Sequence, residues 1–299
     1  MPTVFRRIKN RLIFAAAKAA VFLVGRLPKS WTPAIGRGIG GAAFAAAGYE
    51  RRCAGRQLKE AFGARMTEER ARMLTRGVFN RLAWSAVELS RMIRNPKERP
   101  EARLSESGGR VLDEALQGGR GVIFVTGHVG NWELMAATLA ALGYPIHTVA
   151  KRSYDPRFTT MIERARATFG VRAIYRGDAG AAAAMIRVLR GNGVLGFLID
   201  QDTDVPSVYA PFFGLAAKTP SGPAVLAHRR GVPVVLGTIS RTGGGGSHRI
   251  DIIPVPLDDD AEKTTAALNR LLEARIRRHP AEWVWFHRRW KSREPQEVA

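Results

Sequence analysis

VIFVTGHVGNWELMAATLAALG, residues 122–143, decides the fold class of this chain. Residues 122–126 are an unbroken run of β-branched and aromatic side chains closing on Thr126, the composition of a buried strand. Gly127 and Gly130 bracket His128 in a short loop, and from Asn131 to 142 the chain reads as a helix. Strand, loop and helix in that order put His128 at the carboxyl edge of a sheet, where open α/β folds place their chemistry. Working outward, the alternation repeats: strands at 146–150, 173–175, 194–199 and 232–239, with helices at 156–169, 179–190 and 219–230. That order predicts an α/β fold with a mostly parallel central sheet and helices on both faces. A turn at 243–246, a strand at 249–255 and a closing helix at 261–278 follow. Upstream, 34–48, 50–62 and 67–94 read as helices, the last opened by Thr67 ahead of Glu68 and Glu69. Asn95, Pro96 and Pro100 end this helical layer. One α/β domain is expected over 31–299, with its helical layer at 31–100 and its sheet core at 101–299, preceded by a separate helix within 1–30.

Composition bounds the function. The 299 residues are 45% hydrophobic and 24% charged, ordinary globular values that exclude both wholesale disorder and a polytopic membrane protein. The single cysteine, Cys53, excludes an intrachain disulfide framework and a cysteine zinc cluster. Net charge is +21, and residues 1–100 carry 21 Lys and Arg against 6 Asp and Glu. Such asymmetry implies a polyanionic partner, nucleic acid or an anionic lipid surface. Arg6, Arg7, Lys9 and Arg11 precede the apolar run 12–24, which Lys18 interrupts and Arg26 and Lys29 follow. A run this short falls well below the roughly 20 residues that span a bilayer. It reads instead as a helix lying in the cytoplasmic membrane face, with Phe14, Val21, Phe22 and Leu23 in the acyl boundary.

Several motifs are decoys. Gly36, Gly38 and Gly41 match the dinucleotide pattern, but no strand feeds them, so they read as close packing within a helix. No phosphate-loop lysine motif and no GxSxG elbow occur. Asp200, Asp202 and Asp204 follow a strand; a calcium loop fails because Val205 and Pro211 stand where Gly and Glu are required. Asp200 and Asp202 leave open a metal-dependent glycosyltransferase, or carboxylates that cap a loop and pair with arginine. His128 and Glu133 would lie about 140° apart on one continuous helix. With Gly130 turning and Asn131 capping the helix, Glu133 falls in the first turn and is expected to reach back to His128. A carboxylate on one ring nitrogen leaves the other free as a general base.

The string from Thr126 to Glu133 resembles the His-x4-acidic motif of the glycerolipid acyltransferase superfamily, in the wording of the bacterial lipid A biosynthesis acyltransferases. Three further blocks are similar in order and spacing: Lys151 and Arg152 through Asp155-Pro156; Asp200, Gln201 and Asp202 followed by Pro211 to Gly214; and Trp283 through Trp290 with Lys291. The resemblance spans nearly the whole chain. It implies an O-acyltransferase at the cytoplasmic face of the bacterial inner membrane, moving a fatty acyl group from an acyl carrier protein or coenzyme A thioester to a glycolipid hydroxyl. A lipid A precursor is the first acceptor it implies, phosphatidylinositol mannoside the alternative. His128 would be the general base and Glu133 its orienter. Arg152 would bind a phosphate or the oxyanion, Asp200 and Asp202 would order the pocket wall, and Asn131 and Arg288 would contact substrate. No metal and no cofactor is implied, because a thioester is already activated. The 282–291 tail, with aromatics beside arginines, suits a membrane interface or an anionic headgroup. Single-stranded nucleic acid would suit it too, but no nucleic-acid module accompanies it.

Overall fold

The computed structural model describes residues 4–95, 102–243 and 246–292. The side chains of Arg6, Arg7 and Lys9, together with Pro96, Pro100 and the centre of the 243–246 turn, lie outside the described residues. The helices are α1 (Val4–Val24), α2 (Thr32–Ala46), α3 (Gly48–Phe62), α4 (Glu68–Arg94), α5 (Glu106–Gln117), α6 (Trp132–Ala141), α7 (Pro156–Thr168), α8 (Ala181–Arg190), α9 (Gly222–Arg230) and α10 (Ala261–Arg278). The sheet comprises β1 (Ala102–Leu104), β2 (Val122–Thr126), β3 (Ile146–Ala150), β4 (Arg172–Tyr175), β5 (Val194–Leu198), β8 (Val234–Thr242) and β9 (Ser247–Val255), and β6 (Ser207–Phe212) with β7 (Leu215–Pro220) forms a hairpin apart from it.

Strand order in the seven-stranded sheet is β1-β9-β8-β2-β5-β3-β4. All neighbours run parallel except β8 and β9, so the mostly parallel α/β fold is what the chain adopts. β2 is buried at all five residues, and only a strand apolar on both faces can occupy that central place. Two stretches differ from expectation. The helix expected at 219–230 begins only at Gly222, because Thr219 and Pro220 belong to β7. The hairpin turns at Phe213 and Gly214, both with positive φ (+55° and +76°), and its inward side chains are mostly small, so no hydrophobic alternation betrays it. The segment 102–117 holds β1, which adds an edge strand beside β9, and α5, which packs on β8 and β9.

The helical layer fits by small residues. A Cβ on Gly36 would come within 2.8 Å of Trp84, and one on Gly40 would overlap Asn80, so α2 can lie flush on α4 only with glycine there. Gly38 and Gly41 face open space; the packing role falls to Gly36 and Gly40. Gln57 of α3 ties down the carboxyl-terminal strap, residues 282–292: it donates to the carbonyls of Trp285 and His287, the latter at 2.7 Å, and accepts from the backbone of Arg289 at 2.7 Å. α1 crosses the carboxyl end of α4 and sets Phe14 edge-on to Phe158 of α7, centroids 5.2 Å apart. No helix among the described residues is long and apolar enough to cross a membrane.

Candidate active site

Parallel register assembles the site. Thr126 of β2 pairs with Leu198 of β5, so two residues further along each strand the chain brings His128 opposite Asp200. The imidazole Nδ1 lies 2.8 Å from Asp200 Oδ1, and Asp200 Oδ2 accepts the backbone N–H of His128 at 2.6 Å and the indole N–H of Trp283 at 2.7 Å. Asp200 is 1% exposed. Burial alone would raise its pKa, but the neighbouring His128 charge and these three donors outweigh burial and hold the carboxyl well below the usual range. An ionised carboxylate has no proton to give, so Nδ1 carries the hydrogen, and whenever the ring is neutral the lone pair is on Nε2. The loop is pinned from behind: Val129 bridges Trp283, and Gly130 donates to the carbonyl of Glu282 at 2.9 Å. Gly130 turns at φ +63°, and a Cβ there would collide with the carbonyl of Ile239.

Glu133 does not reach His128. Its carboxylate is clasped by Arg166 of α7, at 2.9 Å from Nε and 2.5 Å from Nη2. The first turn of α6 points it across the pocket toward α7, while Asp200 arrives at His128 from the adjacent strand. Both His128 and Glu133 line a cavity of about 480 Å³, with Lys151, Arg166, Arg176 and Gln201 as further polar lining. Phe124, Met135, Leu139, Ile146 and Phe197 line its apolar depth. Ile146 and Val194 begin their strands, so the cavity runs the length of the sheet beneath α6.

Four other expected residues lie elsewhere. Arg152 stays outside the lining, paired with Asp178 at 2.5 Å over the Tyr175 ring, because the chain turns its neighbour Lys151 inward instead. Asn131 is buried, 3% exposed; its side-chain carbonyl caps α6 at Leu134 N (3.1 Å) and its amide donates to Glu88 at 2.7 Å, and it is not part of the cavity lining. Asp202 accepts from Ser292 N at 2.8 Å and lies 3.8 Å from Lys291 Nζ, anchoring the strap. Arg288 is exposed on the strap, whereas Arg289 is buried and donates to Lys218 O and Thr219 Oγ1, both at 2.6 Å. Trp283 and Trp285 are fully buried, which removes them from any membrane contact. Among the described residues no cluster of His, Cys, Asp and Glu is arranged to hold a metal ion; both Asp200 oxygens and Asp202 Oδ2 accept protein N–H groups.

The sequence reading passed over Arg166, Arg176, Gln201 and His287. His287 of the strap stands with its ring centroid 5.3 Å from that of His128. Its signal was available, a histidine within an aromatic block, but was absorbed into the interfacial reading of that block. The His128–Asp200 pair at the head of a deep apolar cavity with a cationic rim can take a proton from a hydroxyl while an extended apolar chain lies beneath.

Curated proteins similar to this chain are described as acyltransferases. A phosphatidylinositol mannoside acyltransferase of Mycolicibacterium smegmatis is 27% identical over 181 residues, and the chain spans 60% of the length of that curated relative and matches over 60% of its own. A lipid A biosynthesis palmitoleoyltransferase of Escherichia coli is 26% identical over 248 residues, 80% of this chain and 78% of that one. The lipid A biosynthesis lauroyltransferase of Escherichia coli is 32% identical over 114 residues, 36% of this chain and 37% of that one. The family model for bacterial lipid A biosynthesis acyltransferases matches residues 4–292, and the chain therefore belongs to that family.

Proposed function

We propose that the protein transfers a fatty acyl group from an acyl carrier protein or coenzyme A thioester to a hydroxyl of a membrane glycolipid, with a lipid A precursor as the first acceptor to test. The observation that carries this reading is the His128–Asp200 pair at the mouth of the apolar cavity. His128 Nε2 takes the acceptor's hydroxyl proton as that oxygen attacks the thioester carbonyl carbon. The carbonyl π pair moves onto its oxygen, then returns as the C–S bond breaks, and the departing thiolate takes the proton from His128. Asp200 stabilises the transient imidazolium and fixes its orientation. Arg176 and Lys151 in the cavity lining suit phosphate groups of donor or acceptor. A second acceptor, phosphatidylinositol mannoside, is favoured by the mycobacterial relatives. The Asp200/Asp202 glycosyltransferase alternative draws no support, since those carboxylates are taken up by His128, Trp283 and Ser292.

The test incubates purified protein with each acceptor lipid and with acyl thioesters of both kinds, and reads the product by mass. One added acyl group is expected, absent with His128→Ala, while circular dichroism of that variant stays unchanged. Activity retained by His128→Ala would end the proposal. This reading has the protein work at the cytoplasmic face of the inner membrane, where thioester donors and anionic lipid meet.

A further inference from the structure

Gln201 follows Asp200 at the carboxyl end of β5, and its amide nitrogen lies 2.9 Å from His287 Nε2, 3.2 Å from His128 Nε2 and 3.3 Å from His128 Nδ1. Near-equal distances to both nitrogens of one ring place the amide over the imidazole, not along either lone pair. The Nε2 lone pair of His128 therefore stays open to the cavity while an N–H donor stands beside it. Orientation of this amide follows from Asp200. With the proton of the neutral His128 ring held on Nδ1 by Asp200, the ring has no N–H left for an amide oxygen, whereas its face receives an N–H, so the amide nitrogen is the atom set over it. The nitrogen side is thus the side toward both histidines, and His287 Nε2 must accept. Burial above all pushes His287 down to about 4, so its ring is neutral, and with its hydrogen on Nδ1 the Nε2 lone pair receives that N–H. A glutamine amide carries two N–H bonds. One goes to His287, and the second is left for the cavity that Gln201 lines.

Resting on the acyl-transfer reading, we propose that Gln201 is a catalytic residue that donates its second N–H to the thioester carbonyl oxygen as negative charge develops there, and that His287 is the positioning residue that holds the amide nitrogen toward the site. In the balanced step, the acceptor O–H proton passes to His128 Nε2 and the new C–O bond forms. The carbonyl π pair becomes an oxyanion held by Gln201. That oxyanion collapses as the C–S bond breaks, and the thiolate leaves with the proton. A donor aimed at developing charge in a site sheltered from water contributes on the order of 10²–10³ in kcat.

The experiment measures kcat and KM separately for the full chain and four variants, with circular dichroism and thermal midpoint as controls. Gln201→Ala is expected to lower kcat by about 10²–10³ while KM changes by less than about threefold. Gln201→Glu, of the same shape, replaces an N–H by a carboxylate facing the developing charge and is expected to fall at least as far; it decides the matter if the alanine variant does not fold. His287→Leu removes the acceptor and is expected to lower kcat about tenfold or more, and His287→Gln, whose oxygen can stand where Nε2 stood, to recover most of that loss. A folded Gln201 variant whose kcat falls less than about tenfold, or whose loss lies in KM alone, overturns the catalytic assignment. Equal activity of His287→Leu and His287→Gln overturns the positioning role. His128→Ala, run alongside, separates failure of this inference from failure of the acyl-transfer reading.

Discussion

Two carboxylates compete for the histidine, and distance decides between them: Asp200 is 2.8 Å from Nδ1, whereas Glu133 is occupied by Arg166. Asp200→Asn keeps the shape but removes the charge that favours imidazolium, so kcat is expected to fall by about 10²–10⁴ with the thermal midpoint little changed. Steady-state kinetics on the folded variant checks this; a loss under tenfold would assign the imidazole another orienter. Glu133→Gln acts on a different quantity. It leaves the Arg166 guanidinium, about four-fifths buried, without its counter-charge, and is expected to lower folding stability by up to about 3 kcal/mol. Urea titration reads that loss, and Arg166→Met in the same chain should restore part of it, as the two effects are coupled through one contact.

At the scale of elements, a buried ion network lies behind the loop that carries His128. Arg241 of β8 contacts Glu282 at 2.9 Å and Glu88 of α4 at 3.1 Å, and Arg81 closes on the same Glu282. Glu88 accepts from Asn131, and burial, only partly offset by Arg241, raises its pKa. Helix α4, strand β8, the strap and the amino end of α6 thus meet at one cluster behind His128. Arg241→Met would strand two buried carboxylates, and a loss of about 3–5 kcal/mol is expected in urea unfolding. A loss below 1 kcal/mol would show that Arg81 alone neutralises the cluster. The amino-terminal helices carry the other element-scale prediction. Leu12 and Leu23 on α1 are 66% and 62% exposed, Phe22 and Trp31 are exposed beside them, and residues 1–49 contain no acidic side chain. Leu12→Glu with Leu23→Glu is expected to lower binding to anionic vesicles on the order of tenfold or more, since each leucine loses burial in the acyl boundary. High salt should release only part of the unaltered protein. Co-sedimentation at two ionic strengths measures both, and undiminished binding of the double variant would move the anchor off α1. Deletion of 1–30 is the blunter test, because α1 also packs on α4 and α7.

For the whole molecule, pH sensitivity follows from histidines folded in neutral form. Burial, with the charge of Arg241, pushes His248 from 6.5 to about 3, and His287 lies near 4. Between those values and 6.5 the unfolded chain binds protons that the folded chain refuses, so stability rises with pH through this window and is lost as pH falls through it. His248, 2% exposed, contributes a slope of up to about 1.4 kcal/mol per pH unit. Urea midpoints from pH 7 to pH 4 should therefore drop, and less steeply in His248→Leu; an unchanged slope would mean that carboxylates dominate the acid limb. Much of this molecule was legible beforehand. The apolar runs at 122–126 and 194–199 and the helical periods between them required a parallel sheet with His128 at its carboxyl edge, since strand burial and turn chemistry are local properties of consecutive residues. The hairpin over β6 and β7 was hidden by its small inward side chains, and β1 by its three-residue length. Partner choice was not local either. His128 lies five residues from Glu133 and 72 from Asp200, yet the β2–β5 register, which depends on strand order across the whole sheet, delivers Asp200. Local spacing established that a histidine would stand at the edge; the tertiary structure alone decided which carboxylate holds it, because pairing between distant strands is set by how the entire sheet buries its faces.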